Sequence, residues 1–310
     1  MKNQTNPTDF IEPLHVNGMR GRLLRVPSSN RRKREILLLY GHHAQLERWW
    51  GLVQNLQSYG NITAPDLPGF GGMDSFFKIG KQPTIDAYAD YLAAFIKMYY
   101  KRHRVTLMGI SFGFLVITRM LQRYPELAKK VDFVVSIVGF MHKDDFLFPP
   151  KRRVDYHIIT RIMGAAPVSY LIRYLALNTF VIKNVYVRLP AGRRRFIAME
   201  RDDFKRLMDY EVRLWQINDV RTHWRTTSEF LEIDNCQVQI NLPVWHVQSS
   251  GDHYFDNAIV EQHMRVVYRT YEGVIMKSPA HTPSILGDKN ELSVMLPPQL
   301  RKQLARKQGA

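Results

Sequence analysis

Gly109-Ile110-Ser111-Phe112-Gly113 joins an apolar run, Arg104–Met108, directly to a stretch of helical period, Phe112–Arg123. A serine between two glycines at a strand-to-helix junction implies a strained turn, in which a side chain at either glycine would collide with neighbouring backbone. The turn raises the serine hydroxyl clear of the sheet and aims the following amide N–H at the same reacting atom. The rest of the chain must therefore supply a sheet that ends at this turn and a helix that packs behind it.

The segments on either side have that rhythm. Gly21–Val26, Glu35–Tyr40, Asn61–Leu67 and Arg104–Met108 read as strands, and Gln45–Gln57 and Thr84–Tyr100 as helices between them. The second helix opens at Pro83-Thr84, and the helix after the serine stops at Tyr124-Pro125. Val131–Val138 (VDFVVSIV) is almost continuously apolar, as strands buried on both faces of a parallel sheet are. Residues 139–239 break the pattern with long helix-like stretches, and strands resume at Leu242–Val247 and Val274–Met276, with a helix over Asp256–Tyr268 between them and another after Thr282. No internal repeat or low-complexity segment is present, and the basic end Leu300–Ala310 reads as frayed or solvated.

A serine hydroxyl is a weak nucleophile at neutral pH and needs an imidazole to take its proton and a carboxylate to orient that imidazole. The two late strands each lead into a loop with one such group. Leu242–Val247 is followed by Gln248-Ser249-Ser250-Gly251-Asp252, and Val274–Met276 by Lys277-Ser278-Pro279-Ala280-His281. Both loops leave the carboxyl edge of the expected sheet, where such sheets assemble sites. Asp256 is a rival acid; we favour Asp252 because Asp256 precedes an apolar helical run and would serve as its N-cap. Most of the eleven histidines read as surface or core residues, His263 within its helix among them.

These residues, in the order Ser, Asp, His, resemble the α/β-hydrolase fold superfamily. The likeness runs from about residue 14 to about residue 300 apart from the insertion. Leu37-Leu38-Leu39-Tyr40-Gly41-His42-His43 with Trp49 resembles that family's segment after its third strand, and Pro65-Asp66-Leu67-Pro68-Gly69-Phe70-Gly71 the segment after its fourth. The resemblance implies Ser111 as nucleophile, Asp252 as acid, His281 as base, Gly109 and Gly113 as the elbow glycines, and the backbone N–H groups of His42 and Phe112 as the oxyanion hole. Tyr40 stands where the family usually has histidine, which opens the question whether Tyr40 or His43 takes over that residue's hydrogen bonds. The expected fold is α/β: a mostly parallel central sheet flanked by helices, with 14–140 and 237–300 as core, 141–236 as a helical cap and 301–310 as a basic tail. Within the cap, Tyr170–Val187 either lines an apolar pocket or docks the cap on the core.

Composition narrows the function. With 310 residues, 45% of them hydrophobic, the chain can bury a full core. A single cysteine, Cys236, provides neither an internal disulfide nor a cysteine-based metal site and suits a reducing cytosol. The start, Met1–Ile11, is polar, and no apolar run reaches membrane-spanning length, so we expect a cytoplasmic protein. Gly69, Gly71 and Gly72 fall short of a dinucleotide loop because Asp74 occupies the last glycine position, and no metal motif occurs, so no cofactor or metal is expected.

The expected function is a serine hydrolase cleaving a carboxylic ester or thioester with an apolar acyl or alkyl part. Serine rather than aspartate at the elbow argues against the family's dehalogenases and epoxide hydrolases, whereas carbon–carbon bond hydrolases and acyltransferases share the same triad. A catalytically silent member binding a lipid or partner is the alternative outside enzymes. Forty-four Lys and Arg against 28 Asp and Glu leave a net charge of +16. The signatures of nucleic-acid modules are absent. Ten basic residues against Asp155 alone within 151–195 instead anticipate peripheral contact of the cap with an anionic membrane, a solvated face and a soluble anionic substrate being the alternatives.

Overall fold

The computed structural model describes residues 6–30, 34–177, 181–182, 201–278, 280–282 and 287–306. Eight strands form one sheet: β1 Ile11–Val16, β2 Met19–Val26, β3 Glu35–Leu39, β4 Asn61–Pro65, β5 Val105–Ile110, β6 Val131–Ile137, β7 Ile240–Ser249 and β8 Tyr268–Met276, in the spatial order β1-β2-β4-β3-β5-β6-β7-β8. β1 pairs antiparallel with β2 and β2 with β4, while every pairing from β4 through β8 is parallel. The apolar runs fall where they bury most: every residue of β5 is buried, as are four of five in β3. Strands covered on both faces carry no polar alternation.

Helices α1 Trp50–Leu56, α2 Ile85–Tyr99 and α3 Phe112–Arg123 connect the first parallel strands. Thr84 caps α2 through its side chain, which accepts from Ala87 N at 3.1 Å. Between β6 and β7 the described helices are α4 Pro150–Met163, α5 Ala166–Leu171, α6 Arg201–Ile217 and α7 Val220–Phe230. After β7 come α8 Asn257–Val267 and α9 Pro298–Ala305.

Three sequence expectations change. β1 precedes the first expected strand and carries Pro13, which an edge strand tolerates because its missing N–H breaks no interior ladder. β8 begins at Tyr268 rather than Val274, its outward residues Arg269, Thr270 and Glu272 being exposed on the other edge. The basic end is not frayed as far as it is described: α9 buries Leu300 and Leu304, and the Arg306 carbonyl accepts from Arg34 Nη2 at 2.8 Å. The helix expected right after Thr282 falls partly on residues 283–286, outside the described residues; a short 3-10 turn, Glu291–Met295, precedes α9.

Chain order reverses around β3. The chain passes from β3 to β4 on one side and returns to β5 on the other, and at such a switch point the loops leaving the carboxyl ends part to form a crevice. Gly41 and His42 follow β3 there, and Ser111 follows β5.

Candidate active site

Ser111 takes φ 48° and ψ −114°, a left-handed backbone that a residue with a Cβ rarely adopts, and its N–H is held by Ile137 O at 2.9 Å. Both flanking glycines are required by space. A Cβ on Gly109 would press into the backbone N and Cα of Phe114, and one on Gly113 into the carbonyl oxygens of Leu39 and Tyr40. The close approach lets α3 start beside the end of β3, so that Phe112, at the first position of α3, has a backbone N–H with no carbonyl a turn back to bond. His43 (φ 52°) and Val138 (φ 45°) are also left-handed, one shortly after β3 and one directly after β6. Strain of this kind gathers where backbone is held to a task.

His281 sits in the loop after β8, with its imidazole nearly buried and its Nδ1 2.7 Å from Asp252 Oδ2. The other oxygen, Oδ1, accepts from Tyr254 N at 2.9 Å and Phe255 N at 3.2 Å. Burial would raise the Asp252 pKa, but the hydrogen bond and charge of His281 and the two amides outweigh it and hold the carboxyl below its ordinary range. The rival acid is elsewhere: Asp256 caps α8, accepting from Ala258 N at 2.9 Å and Ile259 N at 3.3 Å.

Ser111, Phe112, Gly41, His42 and His281 share one cavity of about 510 Å³. Its wall is largely aromatic, from Phe140, Phe146, Trp224, Phe230, Tyr254 and Phe255. Phe146 lies between β6 and α4, and Trp224 and Phe230 belong to α7, so the chain between β6 and β7 provides much of the lining. Sequence reasoning did not find these residues; an amphipathic helix shows its apolar face without showing whether that face meets core or cavity. The segment singled out instead, Tyr170–Val187, does not line this cavity in its described part: Tyr170 and Tyr174 are 63% and 67% exposed and lie against each other, ring centroids 4.4 Å apart, while Leu177 and the buried Ile182 pack with Met208 and Val212 of α6. Residues 178–180 and 183–187 of that segment lie outside the described residues.

Tyr40 does not face the serine. Its hydroxyl donates to Asp66 Oδ1 at 2.9 Å and accepts from Leu67 N at 2.8 Å, while Arg22 Nε binds Asp66 Oδ2 at 2.7 Å. Burial pushes the Asp66 carboxyl up to about 7, against the pull of Arg22 and Tyr40. Gly71 takes a left-handed φ of 62° and leaves room for this carboxylate, which a Cβ there would strike. Tyr40 thus ties the loop after β4 to the end of β3, and Gly71 serves packing. His43 turns to Asn218, 3.2 Å from its Nδ1, and His42 Nε2 lies 2.6 Å from Thr226 Oγ1. Burial holds both imidazoles well below their ordinary pKa, His223 adding to it, so neither carries charge near neutrality.

A second histidine–carboxylate pair escaped the sequence reading. His263 Nδ1 is 2.6 Å from Asp145 Oδ1, and Asp145 Oδ2 accepts from Met141 N at 2.8 Å and His142 N at 3.0 Å. Neither His263 nor Asp145 lines the cavity. Among the described residues, no helix is long and apolar enough to cross a membrane.

Comparison with known proteins agrees with this architecture. A family model described as alpha/beta hydrolase fold matches residues 36–155. Methylesterase 1 of Arabidopsis thaliana is 28% identical over 115 residues, 37% of this chain and 42% of that protein, so the chain matches less than half the length of this relative. Among solved structures, a thermophilic esterase from Thermogutta terrifontis superposes with TM-score 0.64 at 14% identity, covering 96% of this chain and 98% of that one. The enol-lactonase of Burkholderia xenovorans LB400 gives TM-score 0.60 at 14% identity, covering 86% and 91%. By its sheet order, its matched segment and these neighbours, the chain has the α/β-hydrolase fold.

Proposed function

We propose that this protein is a serine hydrolase that cleaves a carboxylic ester or thioester with an apolar acyl or alkyl part. The reading rests on one arrangement: Ser111 on its left-handed turn and His281, bound to Asp252 at 2.7 Å, both border the same aromatic cavity. Because His281 Nδ1 is committed to Asp252, its Nε2 is the nitrogen left to receive the serine proton.

In the proposed reaction Ser111 Oγ attacks the substrate carbonyl carbon while His281 Nε2 takes the hydroxyl proton. The negative charge that develops on the carbonyl oxygen is stabilised by the N–H groups of Phe112 and His42. Collapse breaks the bond to the alcohol or thiol, which leaves with the proton from His281, and Ser111 is acylated. Water then donates a proton to His281 and attacks the acyl carbon, releasing the acid and restoring the serine. Asp252, ionised at neutral pH, stabilises the imidazolium at each stage. The helices between β6 and β7 act as the cap, and a cavity of about 510 Å³ suits a small or medium acyl group.

A fluorophosphonate probe with the full-length protein tests the nucleophile: we expect labelling of wild type and none of Ser111→Ala. Turnover of p-nitrophenyl esters of increasing acyl length then ranks the acyl group. Ser111→Ala should lose at least about 10³-fold in kcat. Undiminished turnover in that variant would refute the assignment, and labelling without ester turnover would redirect the search to acyl transfer or carbon–carbon cleavage.

A further inference from the structure

Helix α4 is turned inside out. Arg153, His157, Thr160 and Gly164, spaced four, three and four apart, face the body of the protein: Arg153 Nη1 donates to Asp144 Oδ1 at 2.7 Å, His157 Nδ1 lies 3.2 Å from Ser228 O, and the Gly164 carbonyl accepts from Arg225 Nε at 3.0 Å. The apolar side chains point the other way, with Val154, Ile158, Ile159 and Ile162 between 49% and 56% exposed. An amphipathic helix that only needed to fold would bury its isoleucines and expose its arginine. Tyr170, Leu171, Tyr174 and Leu175, just beyond, are exposed to 54% or more and extend the apolar surface. So large an apolar patch on a soluble surface marks a partner.

The charges around it identify the partner. Lys151, Arg152 and Arg161 are exposed on the same helix, with Asp155 the one exposed acid among them. Lys151 and Arg152 stand in the first turn of α4, where the helix dipole disfavours cations, so helix stability does not explain them. A second copy of this chain, also at +16, would bring like charges together on this face. Isoleucines rimmed by Lys and Arg match the boundary of an anionic bilayer, with the apolar side chains among acyl chains and the cations at headgroups. Tyr156 of α4 is 44% exposed and also borders the Ser111 cavity, so the patch adjoins the cavity mouth. Five further basic residues of this region, Lys183, Arg188, Arg193, Arg194 and Arg195, lie outside the described residues.

We propose that α4 is a peripheral membrane-docking surface, which sets the cavity mouth against an anionic lipid leaflet. The proposal is independent of whether Ser111 is catalytic. Full-length protein is sedimented with phosphatidylcholine vesicles, with and without phosphatidylserine, at about 0.1 M and about 1 M salt, where screening lengths are about 10 Å and 3 Å. We expect pelleting with the anionic vesicles at low salt and its loss at high salt. Each cation near such a surface strengthens partitioning about fivefold, so Lys151→Gln/Arg152→Gln/Arg161→Gln should weaken it roughly 100-fold. Ile158→Ser/Ile162→Ser should weaken it roughly tenfold or more through lost apolar burial. None of these side chains borders the cavity or is buried, so circular dichroism and thermal unfolding should match wild type. Absence of pelleting at low salt, or equal pelleting with phosphatidylcholine alone, would overturn the proposal. So would a concentration-dependent dimer that Ile158→Ser/Ile162→Ser dissolves, since the face would then be a self-interface.

Discussion

Asparagine at position 252 tests the site through hydrogen-bond counting. The carboxylate of Asp252 uses one oxygen for the N–H groups of Tyr254 and Phe255 and the other for His281 Nδ1. An asparagine has one oxygen, and the two amides, which can only donate, require it there. The NH₂ group then faces His281 and, as a donor, selects the imidazole tautomer with a bare Nδ1 and a protonated Nε2. That tautomer cannot take the Ser111 proton. A substitution of this kind in a serine triad lowers kcat by about 10⁴, or about 5 kcal/mol of transition-state stabilisation. Asp256→Asn provides the internal control, because asparagine caps a helix about as well as aspartate and the Ala258 and Ile259 bonds survive. We expect that variant to keep its kcat and to lose no more than about 0.5 kcal/mol of stability. The assay is kcat and KM on a short p-nitrophenyl ester, with circular dichroism to confirm the fold. A crippled Asp256→Asn variant, or Asp252→Asn working near the wild-type rate, would refute the reasoning.

Gly113→Ala sets helix propensity against packing: propensity favours alanine by about 1 kcal/mol, but the new Cβ meets the Leu39 and Tyr40 carbonyls at a cost of about 3 kcal/mol, so we expect a net loss of about 2 kcal/mol in urea unfolding. Tyr40→Phe strands the buried Leu67 N–H and should cost about 1–3 kcal/mol with kcat little changed, which separates a loop tie from a catalytic group. The His263 pKa is raised by its hydrogen bond to Asp145, with burial opposing and the charges of Asp144 and Asp234 adding to the rise. The stabilisation from this pair is therefore complete below the ordinary histidine value of about 6.5 and fades as pH climbs through the raised one. Wild-type Tm should fall more between about pH 6 and pH 8 than that of His263→Gln, and parallel curves would show the pair to be inert.

The sequence alone was enough to locate the central strands and the serine. Both are local signals: a buried parallel strand is apolar throughout, as Val131–Ile137 is, and a tight strand-to-helix turn demands glycines at fixed offsets, as Gly109 and Gly113 are. The edges of the sheet were harder to read. β1 contains a proline and the first half of β8 carries exposed polar residues after the buried Tyr268, because an edge strand is half solvated and keeps neither an apolar run nor an unbroken ladder. Two acids four residues apart were ranked by a local rule, since Asp256 heads an apolar helical run and suits its N-cap, but only the folded chain puts Asp252 at His281 and Asp256 on α8. The cavity wall was less legible still. Phe146, Trp224 and Phe230 come from segments up to about 120 residues away from Ser111, and whether an aromatic faces core, cavity or solvent depends on how helices between β6 and β7 are turned about their axes. For α4 that rotation reverses what amphipathicity suggests, placing isoleucines outward and polar residues inward, because the carbonyls and side chains of α7 offer hydrogen bonds where a core would offer only apolar surface.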